Sequence, residues 1–214
     1  MFTTYFQHPF CSNSTLSAFA VEIGLKAPIS ADVQEAYRIG SLFDAVVTEP
    51  TLLDIIQMRI LGTDYSFTKA EYLNCQKMAK ALSASPLYKA MLACKPEFQK
   101  ELYVPDMLFE HEGCSFTLNM RGKLDYFMPG MIADLKSTAT ESQRAFEAAC
   151  EQFEYWRQMV LYCKMARLKK ATIFGVSKGK HRVFVVTIKE GDERWNAGEA
   201  RLNELAFKYF LLKA

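Results

Sequence analysis

The chain has 214 residues, half of them hydrophobic and 23% charged, with a formal net charge of +2. That is enough chain for one substantial core, and too little net charge to announce a nucleic-acid binder, although the distribution of basic residues over the surface matters more. The six cysteines (Cys11, Cys75, Cys94, Cys114, Cys150, Cys163) are scattered without a C-x-x-C pair, which argues against a zinc ribbon and suits reduced thiols in a cytosolic protein. With no basic, apolar leader and no apolar run of roughly 18 residues, the expectation is a soluble, cytoplasmic protein with no membrane association.

An aromatic segment opens the chain, and Ser12-Asn13-Ser14-Thr15 then makes a good helix start, with Leu16, Phe19, Ala20 and Ile23 at helical spacing. Lys26-Ala27-Pro28 ends that element. A second helix is predicted from Asp32 through Val46 to the Glu49-Pro50 break. Asp44 lies on it beside an apolar stripe and, on sequence alone, reads as a solvated helix carboxylate. Residues 51–94 look helical almost throughout, in two pieces separated near Gly62-Thr63-Asp64, with a short further turn around Pro86-Leu87-Tyr88.

The composition then shifts to the aromatic and β-branched content of strands over 97–104 and 114–127. Glu101 sits inside the first of these, and Glu110-His111-Glu112 before Gly113 reads as an exposed loop. From Met120 to Thr138 two short apolar strands are joined by a Pro129-Gly130 turn. Residues i and i+2 share a strand face, so Asp134 and Lys136 project together, and the hairpin can bring Asp125 beside them. Two carboxylates and an ammonium are costly in an apolar hairpin, and a hard divalent cation offsets that cost through oxygen ligands. Acid-x-Lys tripeptides also arise by chance in a chain of this composition, so a surface salt bridge accounts for the same residues equally well.

The longest helix-like stretch runs from Glu141 to Leu168 and carries Gln158 and Tyr162 one turn apart on one face. Phe153, Trp156, Val160 and Leu161 show that much of it simply packs. Strands at Ala171–Ser177 and His181–Ile188 follow, joined by Lys178-Gly179-Lys180, and an amphipathic helix from about Arg194 to Leu212 closes the chain. The order predicts one α/β domain over 1–214, with a helical portion (1–95) before a core (96–214) built on a mixed central sheet flanked by helices. Arg121, Lys123, Lys178, Lys180 and Arg182 are candidates for phosphate contact, or else a solvated basic face.

Taken together, Asp125, Asp134-Leu-Lys136 and Gln158-x-x-x-Tyr162 resemble the PD-(D/E)xK nuclease superfamily, and more closely its RecE-type and lambda-type phage exonuclease branch. Arg121-Gly-Lys-Leu-Asp125 resembles that branch's basic-Gly-basic-x-Asp strand, Asp134-Leu-Lys-Ser-Thr138 its Asp-x-Lys-Thr-Thr segment, and Tyr155-x-x-Gln158-x-x-x-Tyr162 its helix motif. Ser12-Asn-Ser-Thr-Leu-Ser17 and Gly40-Ser-Leu-Phe-Asp-Ala-Val-Val-Thr-Glu-Pro50 also resemble landmarks of the branch, so the likeness spans roughly residues 8–188. It implies a restriction-endonuclease-like core and metal-dependent hydrolysis of DNA. It further implies Mg²⁺ or Mn²⁺ held by Asp125, Asp134 and the Leu135 carbonyl, with Glu101 at an upstream acidic position. Lys136, Gln158 and Tyr162 would complete the catalytic set, and Ser137 and Thr138 would join the basic residues along the DNA.

Relatives in the branch form rings, degrade duplex DNA 5′→3′ from free ends, and work beside a single-strand annealing protein in phage or bacterial recombination. One departure is plain. RecE-type relatives commonly carry histidine in a Gly-x-x-x-His helix, where this chain has Asp44. Carboxylate oxygen suits Mg²⁺ or Mn²⁺ better than softer metals. The competing reading is a non-catalytic DNA-binding or structural protein that keeps the fold.

Overall fold

A computed structural model describes residues 5–28 and 30–213; residues 1–4 of the opening aromatic segment lie outside the described residues. Helices α1 (Asn13–Glu22), α2 (Ala31–Thr48), α3 (Lys69–Ala84) and α4 (Pro86–Ala93) precede the sheet. Their starts are written in the side chains. Ser12 and Ser30 accept the N–H groups of Thr15 and Val33, Thr68 and Glu71 form a reciprocal capping box, and Pro86 opens α4.

Five strands follow: β3 (Glu97–His111), β4 (Cys114–Met128), β5 (Met131–Thr138), β6 (Lys170–Ser177) and β7 (Val183–Lys189), after a minor hairpin of β1 (Leu53–Asp54) and β2 (Arg59–Ile60). The large sheet has the order β3-β4-β5-β6-β7, antiparallel throughout except for the parallel β5–β6 pair. Strand β6 is buried along almost its whole length, as expected of a central strand covered on both faces. One face carries α1, α5 (Gln143–Gln152), α6 (Tyr155–Ala166) and α7 (Glu193–Lys213); α2, α3 and α4 cover the other. The result is the expected mixed sheet between helical layers. No helix among the described residues is long and apolar enough to cross a membrane.

Three expectations are corrected. The first piece of the predicted helix at 51–60 is a 3₁₀ turn followed by the β1–β2 hairpin. Asp54 accepts the Gln57 N–H at 2.9 Å and pairs with Arg59 at 3.5 Å, while Met58 turns left-handed. A local carboxylate acceptor thus competes with helix formation. Strand β3 runs on to His111, so Glu110 and His111 pair with Ser115 and Cys114, and only Glu112-Gly113 forms the turn. Both turn residues have positive φ, as a tight hairpin requires. The predicted helix 141–168 is broken at Phe153-Glu154, where Glu154 is left-handed (φ 57°) and is held by Lys26, Arg157 and Arg201 at 3.3, 3.3 and 2.8 Å. Arg157 is only 2% exposed, so this is a tertiary interaction that overrides local propensity.

Gly198 on α7 lets that helix meet α6 backbone to backbone: an added Cβ would lie 2.7 Å from the Trp156 carbonyl carbon and oxygen. Gly198→Ala is therefore expected to destabilise the fold by about 1–3 kcal/mol through overpacking. A urea midpoint equal to that of the parent chain would show that the two helices can separate freely.

Candidate active site

Strands β4 and β5 pair over only three residues, Tyr126↔Ala133, Phe127↔Ile132 and Met128↔Met131. Beyond that point they diverge. Farther along β4, Cys11 takes the strand edge, donating its N–H to the Asn119 carbonyl (2.9 Å) and accepting from the Arg121 N–H (2.7 Å). Between these two anchored stretches lies an opening in the sheet, beside Gly122–Asp125. Its backbone is served by side chains instead: the Tyr5 hydroxyl meets the Lys123 N–H, and Asp125 Oδ2 accepts the Leu135 N–H at 2.8 Å.

Into this opening β5 directs Asp134 and Lys136. Asp134 is 3% exposed. Its Oδ2 lies 2.5 Å from Lys136 Nζ without forming a well-directed hydrogen bond, and its Oδ1 accepts from Gln158 Nε2 at 3.4 Å. Gln158 also donates to the Tyr162 hydroxyl at 3.3 Å, and the Tyr155 ring lies 5.0 Å beneath Lys136 Nζ. The three residues of the α6 motif thus stand over the two strand residues. Gly122 makes this possible, because a Cβ there would come within 3.1 Å of the Tyr162 ring.

Burial dominates the electrostatics. It pushes Asp125 up to about 7, with further help from the Asp134 charge. Burial also raises Asp134, despite the opposing pull of Lys136. Asp44, on α2, is raised well above the usual carboxylate range, first by burial and then by Asp125. The Asp44 carboxyl therefore belongs electrostatically to the cluster, although it keeps partial solvent access. Burial pulls Lys136 down, but Asp134 and Asp125 more than reverse this and keep it charged. Tyr155 is pushed up to about 12 by burial, and Tyr162 is raised by the same cause, so both are neutral hydroxyls near neutral pH.

The remaining predicted residues divide. Glu101 is exposed on β3 and accepts from the Tyr103 hydroxyl at 2.9 Å; the β3 side chain that reaches Asp125 is Gln99, at 3.5 Å. Lys123 is tied to Glu49 at 3.1 Å. Arg121 stacks on Tyr5 (4.9 Å) with its Nε and Nη1 buried and without hydrogen-bond partners. Ser137 lies beside Gly40 of α2. Thr138 is buried against Thr140, and its carbonyl accepts the Lys178 N–H at 2.8 Å. Lys178, Lys180 and Arg182 consequently sit at the Thr138 end of β5, in a turn fastened by Ser177 and Glu141.

Gln99 and its partner Thr48 were not singled out by sequence reasoning. Only the β3–β4 register, with Phe98 opposite Tyr126 and Lys100 opposite Leu124, reveals that Gln99 faces Asp125.

No set of three or more His, Cys, Asp or Glu side chains among the described residues is spaced as a ready metal cage. The donor set nevertheless fits a Mg²⁺-type ion. Such ions take one or two carboxylates and complete their shell with water and phosphate. Here burial raises both Asp134 and Asp125, and the Asp134 charge raises Asp125 further, which is the condition a divalent cation relieves.

Residues 17–209 match the family described as PDDEXK-like domain of unknown function (DUF3799), and the chain belongs to that family. No curated protein matches the sequence. Among the solved structures to which the chain is similar is a phage-related exonuclease from Haemophilus somnus 129PT, 15% identical, with a TM-score of 0.42 over 89% of this chain and 91% of that one. Another is an alkaline exonuclease from Laribacter hongkongensis, 12% identical, with a TM-score of 0.35 over 95% and 91%.

The Asp125 shift makes the metal-free protein pH-sensitive. Its carboxyl moves from the ordinary 3.8 to about 7, so between those values the folded chain holds a proton that the unfolded chain has released. Stability then falls as pH rises through that window. The urea midpoint of the metal-free chain is expected to decline more steeply from pH 4 to 7 than that of Asp125→Asn, whose amide oxygen can still accept the Leu135 N–H. Parallel profiles for the two proteins would contradict the shift.

Proposed function

We propose that this PDDEXK-like chain is a divalent-metal-dependent deoxyribonuclease that hydrolyses phosphodiester bonds, acting as a 5′→3′ exonuclease on duplex DNA with free ends. The observation that carries the reading is the convergence of Asp125, Asp134, Lys136 and Gln158 at the opening between β4 and β5. Asp125, Asp134 and the Leu135 carbonyl would hold Mg²⁺ or Mn²⁺, with Asp44 approaching from α2. When bound, the ion supplies Lewis-acid polarisation of a phosphoryl oxygen and lowers the pKa of water.

The protein's own groups supply the rest. Lys136, kept charged by the carboxylates, stabilises negative charge growing on the phosphorus oxygens. Gln158 holds Asp134 from above, and Tyr162, a neutral hydroxyl, fixes Gln158 in turn. Lys178, Lys180 and Arg182, rigidly presented beyond Thr138, would follow the DNA backbone and make binding salt-dependent. Arg121 would do the same from the far end of the opening. A ring of copies and an annealing-protein partner belong to the same reading, since an enclosing ring would keep the chain on a DNA end.

Digestion of end-labelled linear and closed circular DNA, with and without Mg²⁺ or Mn²⁺, tests the proposal. Metal-dependent shortening of linear DNA from its 5′ ends, with circles spared, is expected; binding without cleavage would favour the non-catalytic reading. Asp134→Asn and Lys136→Ala should each lower kcat by about 10²–10³-fold while leaving DNA binding nearly intact. Retention of cleavage within a few-fold by either variant would remove that residue from the chemistry.

Gln158→Ala acts one step back from the reacting atoms and should cost about 10–100-fold, mainly in kcat. Lost DNA affinity with unchanged turnover at saturating DNA would place it in substrate binding instead.

A further inference from the structure

Gln99 occupies a strand position in an unusual conformation. It lies inside β3, yet its φ is +51°, a left-handed backbone that residues with long side chains rarely adopt. Such strain persists where the surroundings demand it, and functional sites are common places to find it. Here the conformation aims the side chain. Gln99 Nε2 donates to Thr48 Oγ1 at 2.9 Å and reaches Asp125 Oδ1 at 3.5 Å. The Thr48 hydroxyl donates in turn to the Asp44 carbonyl at 2.9 Å. A continuous polar chain therefore runs from the backbone of Asp44, through Thr48 and Gln99, to the carboxylate of Asp125. It joins the C-terminal end of α2 to β4, the two elements that bring Asp44 and Asp125 to the site. The neighbouring Lys123–Glu49 pair ties the same two elements at 3.1 Å.

We propose that Gln99 is a positioning residue: a neutral clasp that fixes the Asp125 carboxylate relative to Asp44, and so sets the spacing of the oxygen donors offered to the divalent cation. This rests on the metal-dependent reading above. The chemistry of the side chain fits the task. Asp125 already accepts the Leu135 N–H through Oδ2, so a single donor to Oδ1 completes its orientation. An amide provides that donor without adding charge. A carboxylate at this position would add repulsion to Asp44, Asp125 and Asp134, and an ammonium would compete with the cation for the same oxygens.

A purely structural role for Gln99, holding the left-handed backbone at its own position in β3, makes the opposite prediction at one substitution. Glycine adopts positive φ at no steric cost, so Gln99→Gly suits the backbone while deleting the clasp. We expect its thermal midpoint to equal or exceed that of the parent chain. Its Mn²⁺ affinity, titrated calorimetrically without DNA, should be about 10-fold weaker. Cleavage should fall mainly in kcat, with KM for DNA little changed. Thr48→Val, added to Gln99→Gly, should weaken Mn²⁺ binding no further, because both remove the same link.

Parent-like Mn²⁺ affinity in Gln99→Gly overturns the proposal. If that variant proves unstable, Gln99→Met, which keeps the length of the side chain without its donor, decides by the same titration. A parent chain that binds no Mn²⁺ overturns the metal-dependent reading along with the clasp. Binding by the parent that both variants retain overturns the clasp alone.

Discussion

The hydrogen bond from the Leu135 N–H to Asp125 Oδ2 is the contact on which the site depends. Backbone N–H groups buried in a sheet need acceptors, and the divergence of β4 from β5 removes the carbonyl that would ordinarily serve. Asp125 replaces it with a carboxylate. The strands can then part without leaving an orphan donor, and the parting is what brings the Asp125 carboxylate to Asp134 and Lys136. One interaction both permits the opening and furnishes it.

The same interaction creates the electrostatic problem that gives the site its character. Asp125, Asp134 and Asp44 share a region of low solvent access with Lys136 as the nearby cation, and all three carboxyls are raised. A structural salt bridge would balance one carboxylate against one ammonium. This cluster sets three carboxyls against one ammonium and, without a cation, relieves the excess by holding protons, and a protein selected only for stability would gain by replacing two of the three with apolar residues. The surplus of oxygen donors is the physical argument for a divalent cation.

The parts of this arrangement that were legible in the sequence were the local ones. The Pro129-Gly130 turn, the i, i+2 relation of Asp134 and Lys136, and the i, i+4 relation of Gln158 and Tyr162 follow from strand and helix periods, and the fold keeps them. What was illegible depends on distant partners. Nothing between Glu141 and Leu168 is Gly or Pro, so no local signal marks the break at Glu154; Glu154 is held there by Lys26 from the segment after α1, by Arg201 of α7 and by the neighbouring Arg157. Leu52 to Ile60 has apolar residues at helical spacing, yet Asp54 captures the Gln57 N–H and folds the stretch back on itself. Glu101 is acidic but exposed, whereas the β3 side chain facing Asp125 is the uncharged Gln99, which only register could identify.

The sheet closes its outer edges and its inner opening by different means. The outer edge of β7 is closed by a side chain: the Gln143 amide donates to the Val185 carbonyl at 3.1 Å and accepts the Val185 N–H at 3.4 Å, as a neighbouring strand would. The outer edge of β3 is charged with Glu97, Lys100 and Glu101 and interrupted by an irregularity between Val104 and Met107, devices that discourage pairing with another chain. Both outer edges are thus protected by groups with no part in the cluster. Inside the sheet, the opening between β4 and β5 is protected by the candidate site residue Asp125 itself, with Cys11 and Tyr5 alongside. Where the outer edges use neutral or solvated groups, this inner one uses the half-buried Asp125 carboxylate, a costly acceptor to withdraw from water. The acceptor that closes this inner edge is thus itself a member of the titratable cluster, whereas the groups that close the outer edges are not.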